Sequence, residues 1–378
     1  MEKSKKIALF TCHDDPNYGS MLQAYALGVA IKKLGHHVEY ITYRVYPKQN
    51  KFMKFVKYIV KSCLRITGIR KEENPFNFFY TKPFFSTLDA FTSFHKKYIP
   101  ATSKIYYSNT ISKELKLKEY GNYIVGSDQL WSPFTYECDC RHPYFLDFAD
   151  FPVRNSYGTS LGTTHFSDEY KQILKDKLAA FKHISCRELA NSTMLTKLLG
   201  RPVEHVLDPT LLLSLSDWDN IAKEPMIDGN YILAYILGEK DTITKFANYL
   251  GEVKSLPVYF IATIPKYLSY RNVLTGIGPD AFIGLIKNAR YVVTDSYHGC
   301  LFCINYHIQF YAFSKRTGSI NDQDNIRIIE FLQSLQLEDR FQDESHAKIL
   351  PDHEYSKVEQ LLLQKREASI SYLEKCLQ

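Results

Sequence analysis

The stretch Thr294-Asp295-Ser296-Tyr297-His298-Gly299 puts an acid, hydroxyls, an imidazole and a glycine at the end of an apolar run, YVVTDS. A helical pattern, HGCLFCINY, begins just there. In open α/β sheets ligands bind beyond the carboxyl ends of the strands, and a helix N-terminus adds free N–H groups and partial positive charge. At such a place His298 could act as a general acid or hold an anion. Ser296 could contact the same ligand, and Gly299 would let the backbone approach it. A histidine that merely caps its own helix fits the same spacing.

Four further stretches carry candidate chemistry. In Ser185-Cys186-Arg187-Glu188, at a strand end, Arg187 could hold a carboxylate or phosphate through two parallel N–H bonds; a surface ion pair with Glu188 is the plainer use. Val125-Gly126-Ser127-Asp128 is another strand-to-loop turn, where Ser127 and Asp128 could bind sugar hydroxyls or Asp128 serve as a base, although Ser-Asp pairs there commonly make turns and caps. Asn17-Tyr18-Gly19-Ser20 follows the first strand, with Gln23 one turn into a helix, and could line the same edge; a loop with an N-cap at Ser20 is the alternative. Last comes Lys315 to Arg327, in which Arg316, Asn325 and Arg327 suit a phosphate or carboxylate loop, or simply a solvated one. Cys138-x-Cys140-x-His142 lacks a second ligand pair at zinc-like spacing, and no metal site is expected. No P-loop, GxSxG, HExxH or dinucleotide fingerprint occurs.

The elements that must position these residues alternate. Strands are expected at Ile7 to Cys12, Val38 to Tyr43, Tyr123 to Val125, Asn155 to Thr159, Ile184 to Cys186 and Val203 to Leu207. Helices are expected at about Ser20 to Leu34, Asp168 to Phe181 and Glu188 to Leu199, while residues 74 to 120 are aromatic-rich with weak periodicity. Asp208-Pro209 reads as a break, and the domain boundary is placed just after it. The second half repeats the alternation, with strands at Tyr231 to Leu237, Val258 to Ala262, Tyr291 to Thr294 and Gln309 to Phe313. Helices there are expected at Asp241 to Leu250, Pro279 to Ala289, His298 to Tyr306 and Asp324 to Leu335, with a long terminal helix from about His353 to Leu377. The economical architecture is α/β: two Rossmann-like, doubly wound domains, residues 1–210 and 211–345, facing a cleft, with 346–378 crossing back.

Composition agrees. The chain has 378 residues, 45% hydrophobic and 23% charged, which suits two globular domains and excludes disorder. No run is long enough for a transmembrane helix, and the apolar run IALF near the start is too short for a signal peptide, so a cytoplasmic location with reduced cysteines is expected. The net charge is +6. Eight basic and no acidic residues lie between Lys48 and Lys71, and the other 39 basic residues are outnumbered by the 41 acidic ones. Residues 51–66 read as a basic amphipathic helix, suited either to membrane-surface contact or to packing with a solvated stripe. Charge confined to one segment argues against a nucleic-acid binder.

The ordered stretches NYGSMLQAYAL, YIVGSDQLW, NSYGTSLG, SCREL, VLDPTLL, DAFIGLIKNARYVVTDSYHGCLF and NIRI resemble the polysaccharide pyruvyl transferase family over most of the chain. That resemblance implies a GT-B-like fold and transfer of a pyruvyl group from phosphoenolpyruvate to hydroxyls of a sugar or lipid-linked oligosaccharide, giving a ketal and phosphate. It implies no cofactor beyond the donor substrate. The family's histidine falls on His298 and its arginine before an acid on Arg187. One branch carries Arg two residues before the histidine, where this chain has Ser296, so the resemblance implies that anion binding is shared differently, with Arg316 and Arg327 as candidates. His298, protonated, would be the acid, and Asp128 would orient or deprotonate the acceptor. A nucleotide-sugar glycosyltransferase of the GT-B type and a non-catalytic scaffold of polysaccharide assembly are the competing readings.

Overall fold

The computed structural model describes residues 6–44, 82–107, 110–115, 119–133, 143–150, 153–225, 227–314 and 325–378. The expected helix 51–66, Arg316 and the Cys138-x-Cys140-x-His142 stretch lie outside the described residues.

The apolar run that starts the chain becomes β1 (Lys6–Phe10), buried on both faces as a central parallel strand must be. It pairs in parallel with β2 (His37–Tyr40). A short side pair, β3 (Tyr43–Arg44) with β4 (Tyr106–Tyr107), follows in the chain. On its other edge β1 pairs with β5 (Asn122–Val125), which pairs with β6 (Arg154–Ser156), giving the order β2-β1-β5-β6. β7 (Ser185–Cys186) and β8 (Glu204–His205) continue beyond β6, because the amides of Ser156 and Thr159 donate to the carbonyls of His183 and Ser185 at 3.0 and 3.2 Å. The second sheet holds β9 (Ile232–Tyr235), β10 (Val258–Ile261), β11 (Val273–Leu274), β12 (Tyr291–Thr294) and β13 (Gln309–Ala312) in the order β11-β10-β9-β12-β13, all parallel.

The helices of the first half are α1 (Tyr18–Lys33), α2 (Lys82–Tyr98), α3 (Ile111–Glu114), α4 (Asp168–Leu178) and α5 (Leu189–Leu199). Those of the second half are α6 (Leu215–Asp219), α7 (Asp241–Lys254), α8 (Pro279–Lys287), α9 (Tyr297–Asn305), α10 (Ile326–Ser334) and α11 (Ser356–Leu377). The fold is therefore α/β, with two doubly wound parallel sheets. Strand order reverses between β1 and β5 in one and between β9 and β12 in the other, and these switch points are where such sheets bind ligands. Among the described residues no helix is long and apolar enough to cross a membrane.

Several boundaries differ from the sequence reading. α1 begins at Tyr18, and its N-cap is Asn17, whose side chain accepts from the Ser20 amide at 3.1 Å; Ser20 is not the cap. The strand expected over 38–43 ends at Tyr40, whose outer edge meets the 100–102 segment: the Tyr40 amide donates to the Pro100 carbonyl and the Thr102 amide to the Tyr40 carbonyl. α2 occupies part of the aromatic-rich region that periodicity did not resolve. β11, a two-residue edge strand, carries too little pattern to be seen in sequence.

One apolar cluster runs from beneath the first sheet through α1, Leu211–Leu213 and Trp218 into α8, α9 and α11, so the two halves share a core. α11 lies against the first sheet: Tyr372 Oη donates to the Ser156 carbonyl at 2.9 Å, and Asn122 Nδ2 to the Cys376 carbonyl at 2.7 Å. α1 is pinned to β2 by Tyr40, whose hydroxyl donates to the Ala24 carbonyl at 2.7 Å over Gly28; a Cβ at Gly28 would come within 1.9 Å of that oxygen. Gly28→Val therefore forces α1 away from the sheet, and urea unfolding should show a loss of about 1–3 kcal/mol.

Candidate functional site

The carboxyl edge of the first sheet builds an ionic cluster. Arg187 follows β7, Asp208 follows β8 and Asp128 follows β5, so parallel pairing alone delivers all three to one rim. The Arg187 side chain has no exposed surface. Its Nη1 donates to Asp208 Oδ2 at 2.7 Å, its Nη2 lies 3.4 Å from Asp128 Oδ1, and its Nε 3.5 Å from Glu188 Oε1. Ser127 Oγ is 3.4 Å from Nη1 and donates to the Gly158 carbonyl, while the Ser127 amide donates to Gln23 Oε1 at 3.0 Å. Burial opposes the Arg187 charge, and the three carboxylates reverse that, raising its pKa above the ordinary value.

Asp128 reaches the other side of the rim. Its Oδ2 accepts from Ser20 Oγ at 2.6 Å, and its Oδ1 accepts from the Gln129 amide at 2.9 Å. Burial works against its ionisation, but Arg187, His298 and the Ser20 hydroxyl hold its carboxyl below the usual range. Asp208 is likewise opposed by burial, and His298, Arg187 and the Thr210 amide hold it well below that range.

The second sheet contributes the facing wall. His298, in the first turn of α9, puts Nε2 3.5 Å from Asp208 Oδ2. The ring can reach there because residue 19 is glycine: a Cβ on Gly19 would stand 2.1 Å from His298 Nδ1. Tyr297 packs beside it, with the Arg187 and Arg327 guanidinium carbons 5.2 and 5.4 Å from its ring centroid. Among the described residues Arg327 has no ion pair; burial and the Arg187 charge lower its pKa from the ordinary value.

The structure thus brings His298, Asp128, Ser127, Arg187, Arg327 and Gly19 together. Arg187, expected as a substrate contact, is engaged by three carboxylates. Ser296 caps α9, its Oγ accepting from the Gly299 amide at 3.3 Å, and a Cβ at Gly299 would stand 2.9 Å from Thr294 Oγ1, so that glycine lets α9 close on β12. Asn17 caps α1. Tyr18 joins the halves: its hydroxyl donates to the Ile277 carbonyl at 2.9 Å and its ring stacks on Phe282 at 4.4 Å. Asn325 is buried and donates to Ser314 Oγ at 2.8 Å. Sequence reasoning passed over Asp208 and Tyr297 as members of this cluster. For Asp208 the usable signal was its place at a strand's carboxyl end.

Comparison with known proteins decides the family. The family model for polysaccharide pyruvyl transferases matches residues 17–315. The chain belongs to the polysaccharide pyruvyl transferase family. It is accordingly a transferase of polysaccharide biosynthesis. No curated protein matches this transferase in sequence. Among solved structures it is similar to Arabidopsis thaliana UGT89C1 complexed with quercetin (11% identity, 99% of this chain and 94% of that one, TM-score 0.45). It is also similar to the UDP-GlcNAc 2-epimerase of Methanocaldococcus jannaschii (12%, 97% and 92%, TM-score 0.48) and to the glycosyltransferase SnogD of Streptomyces nogalater (12%, 99% and 98%, TM-score 0.42).

Two outcomes are expected for the transferase. Gly19→Ala pushes the His298 ring out of its seat, and a crystal structure of the variant should show the ring displaced with the fold retained. Asp128 has φ of +76°, which Asn tolerates, so Asp128→Asn tests charge rather than backbone. A depressed carboxyl pKa stabilises the fold above the unfolded value of about 4, and that contribution vanishes as pH falls through the folded value. The Tm gap between wild type and Asp128→Asn should be widest near neutral pH and close as pH drops below about 4.

Proposed function

We propose that the protein transfers the pyruvyl group of phosphoenolpyruvate to two hydroxyls of a sugar, in a surface polysaccharide or its lipid-linked repeat unit, forming a ketal and releasing phosphate. Family membership supports the reaction class. The observation that carries the reading is the meeting of His298 and Arg327 with the Asp128–Arg187–Asp208 cluster, where both sheets present their switch points.

The donor carries a carboxylate and a phosphate. Arg327, without an ion pair among the described residues, is the cation open to them, and the N-terminus of α9 adds partial positive charge. His298 gives a proton to the donor's methylene carbon, the double-bond electrons forming the new C–H bond, and the neighbouring carbon becomes electrophilic. A sugar hydroxyl adds there, with Asp128 taking its proton. Phosphate leaves with the electrons of its C–O bond, and the second hydroxyl closes the ketal, its proton passing to the departing phosphate. Arg187 holds the two aspartates in place and does not itself meet the donor. With a lipid-linked acceptor the reaction would take place at the cytoplasmic face of a membrane.

The test is release of inorganic phosphate from phosphoenolpyruvate with a panel of sugar acceptors, alongside thermal shifts with phosphoenolpyruvate and nucleotide sugars. His298→Ala should cut turnover by about 10²–10⁴-fold. Arg327→Gln should raise the donor KM by about 10-fold or more, the loss of a charged hydrogen bond. Stabilisation by nucleotide sugars with none by phosphoenolpyruvate would overturn the reading.

A further inference from the structure

Asp208 sits where no ligand reaches: its side chain has no exposed surface. Its two oxygens have separate tasks. Oδ1 accepts from the amide and the hydroxyl of Thr210, at 3.0 and 2.8 Å, which fixes the plane of the carboxylate. Oδ2 accepts from Arg187 Nη1 at 2.7 Å and faces His298 Nε2 at 3.5 Å. That nitrogen is enclosed and has no hydrogen-bond partner among the described residues. The side chain keeps 13% of its surface exposed while Nε2 is enclosed; Nδ1, on the other edge of the ring, lies over Gly19, where a Cβ would come within 2.1 Å of it.

The two ring nitrogens are therefore unequal. A carboxylate is an acceptor only, so a bare Nε2 lone pair directed at Asp208 Oδ2 would be repelled, whereas an Nε2–H is attracted. In resting enzymes such contacts are often longer than a hydrogen bond and tighten in the reacting complex. We propose that Asp208 is a positioning residue that acts through His298: it keeps a proton on Nε2, so that Nδ1 is the nitrogen that gives its proton to the substrate. In the step itself the Nδ1–H bond breaks and the C–H bond at the donor methylene forms. The ring is left neutral, with Nε2–H still facing Asp208. The same carboxylate holds Arg187, so one buried group sets both the cation that organises the first sheet and the acid supplied by the second. This rests on the pyruvyl-transfer reading for the identity of the proton's destination, while the tautomer follows from the geometry alone.

The experiment is nitrogen NMR of the full-length protein labelled with 15N-histidine, without substrate, at a pH where the His298 ring is neutral. His298→Gln identifies the signals among the 12 histidines. Expected is a protonated Nε2 with a bare Nδ1; the opposite tautomer overturns the proposal. In the turnover assay Asp208→Asn should lower kcat by about 10-fold or more, with the donor KM changed less than about 3-fold, as when a partner that only orients a reacting group is lost. Thr210→Val, which removes one donor from Oδ1, controls for loosening of the turn and should leave the tautomer unchanged. An Asp208→Asn protein with unaltered kcat overturns the proposal. Should that variant not fold, the wild-type tautomer decides alone. Absence of phosphate release from phosphoenolpyruvate in the wild type would overturn the donor assignment, and the tautomer measurement would still decide the role of Asp208.

Discussion

Arg187 is a full positive charge with no exposed side-chain surface, and a buried ion left alone costs several kcal/mol. Three carboxylates answer it, from three different places: Asp128 beyond β5, Glu188 beside it in the chain, and Asp208 beyond β8. The requirement that they converge ties the carboxyl ends of these strands to one another. Each of the three then holds something else. Asp128 holds the Ser20 hydroxyl of α1, Glu188 the Ser160 hydroxyl, and Asp208 the Thr210 turn and the side of His298. Removing one member of such a set strands its partners, which is why the cluster is worth more as an organiser of the rim than as a source of net stability.

The second constraint is how closely the two halves approach. His298 stands over Gly19 with no room for a Cβ, and Tyr18, next in the chain, stacks on Phe282 of the other half. The continuous core beneath them keeps these two contacts in register. Tyr297 adds a third link, since guanidinium groups from α10 and from the first sheet both lie near its ring. His298 and the ionic cluster are thereby held at a fixed spacing, which is the preorganisation that the proposed proton transfer needs.

Motif residues divide by what they touch. Ser296, Gly299 and Asn17 stand in the stretches that carry the family resemblance, and the structure uses them to cap a helix, to seat a helix on a strand and to cap another helix. Their neighbours His298, Gly19 and Ser20 face the rim. The two uses alternate within a single turn of helix, because a short strand-to-helix turn must also satisfy its own free amides.

The sequence by itself determined the α/β class, the central strands β1, β5 and β12, the helices that follow β1 and β12, and the carboxyl edge on which the candidate residues stand. These are local properties: apolar runs, helical spacing and turn residues act over a few positions. Only the tertiary structure decided what Arg187 does and what stands behind His298. Asp208 is 21 residues from Arg187 along the chain, and in sequence Asp-Pro reads simply as the end of a strand. Gly19 and His298 lie in different halves, and nothing in either segment signals that one leaves space for the other. Charge pairing and steric fit depend on distance in space, and parallel pairing of strands far apart in the chain is what sets that distance.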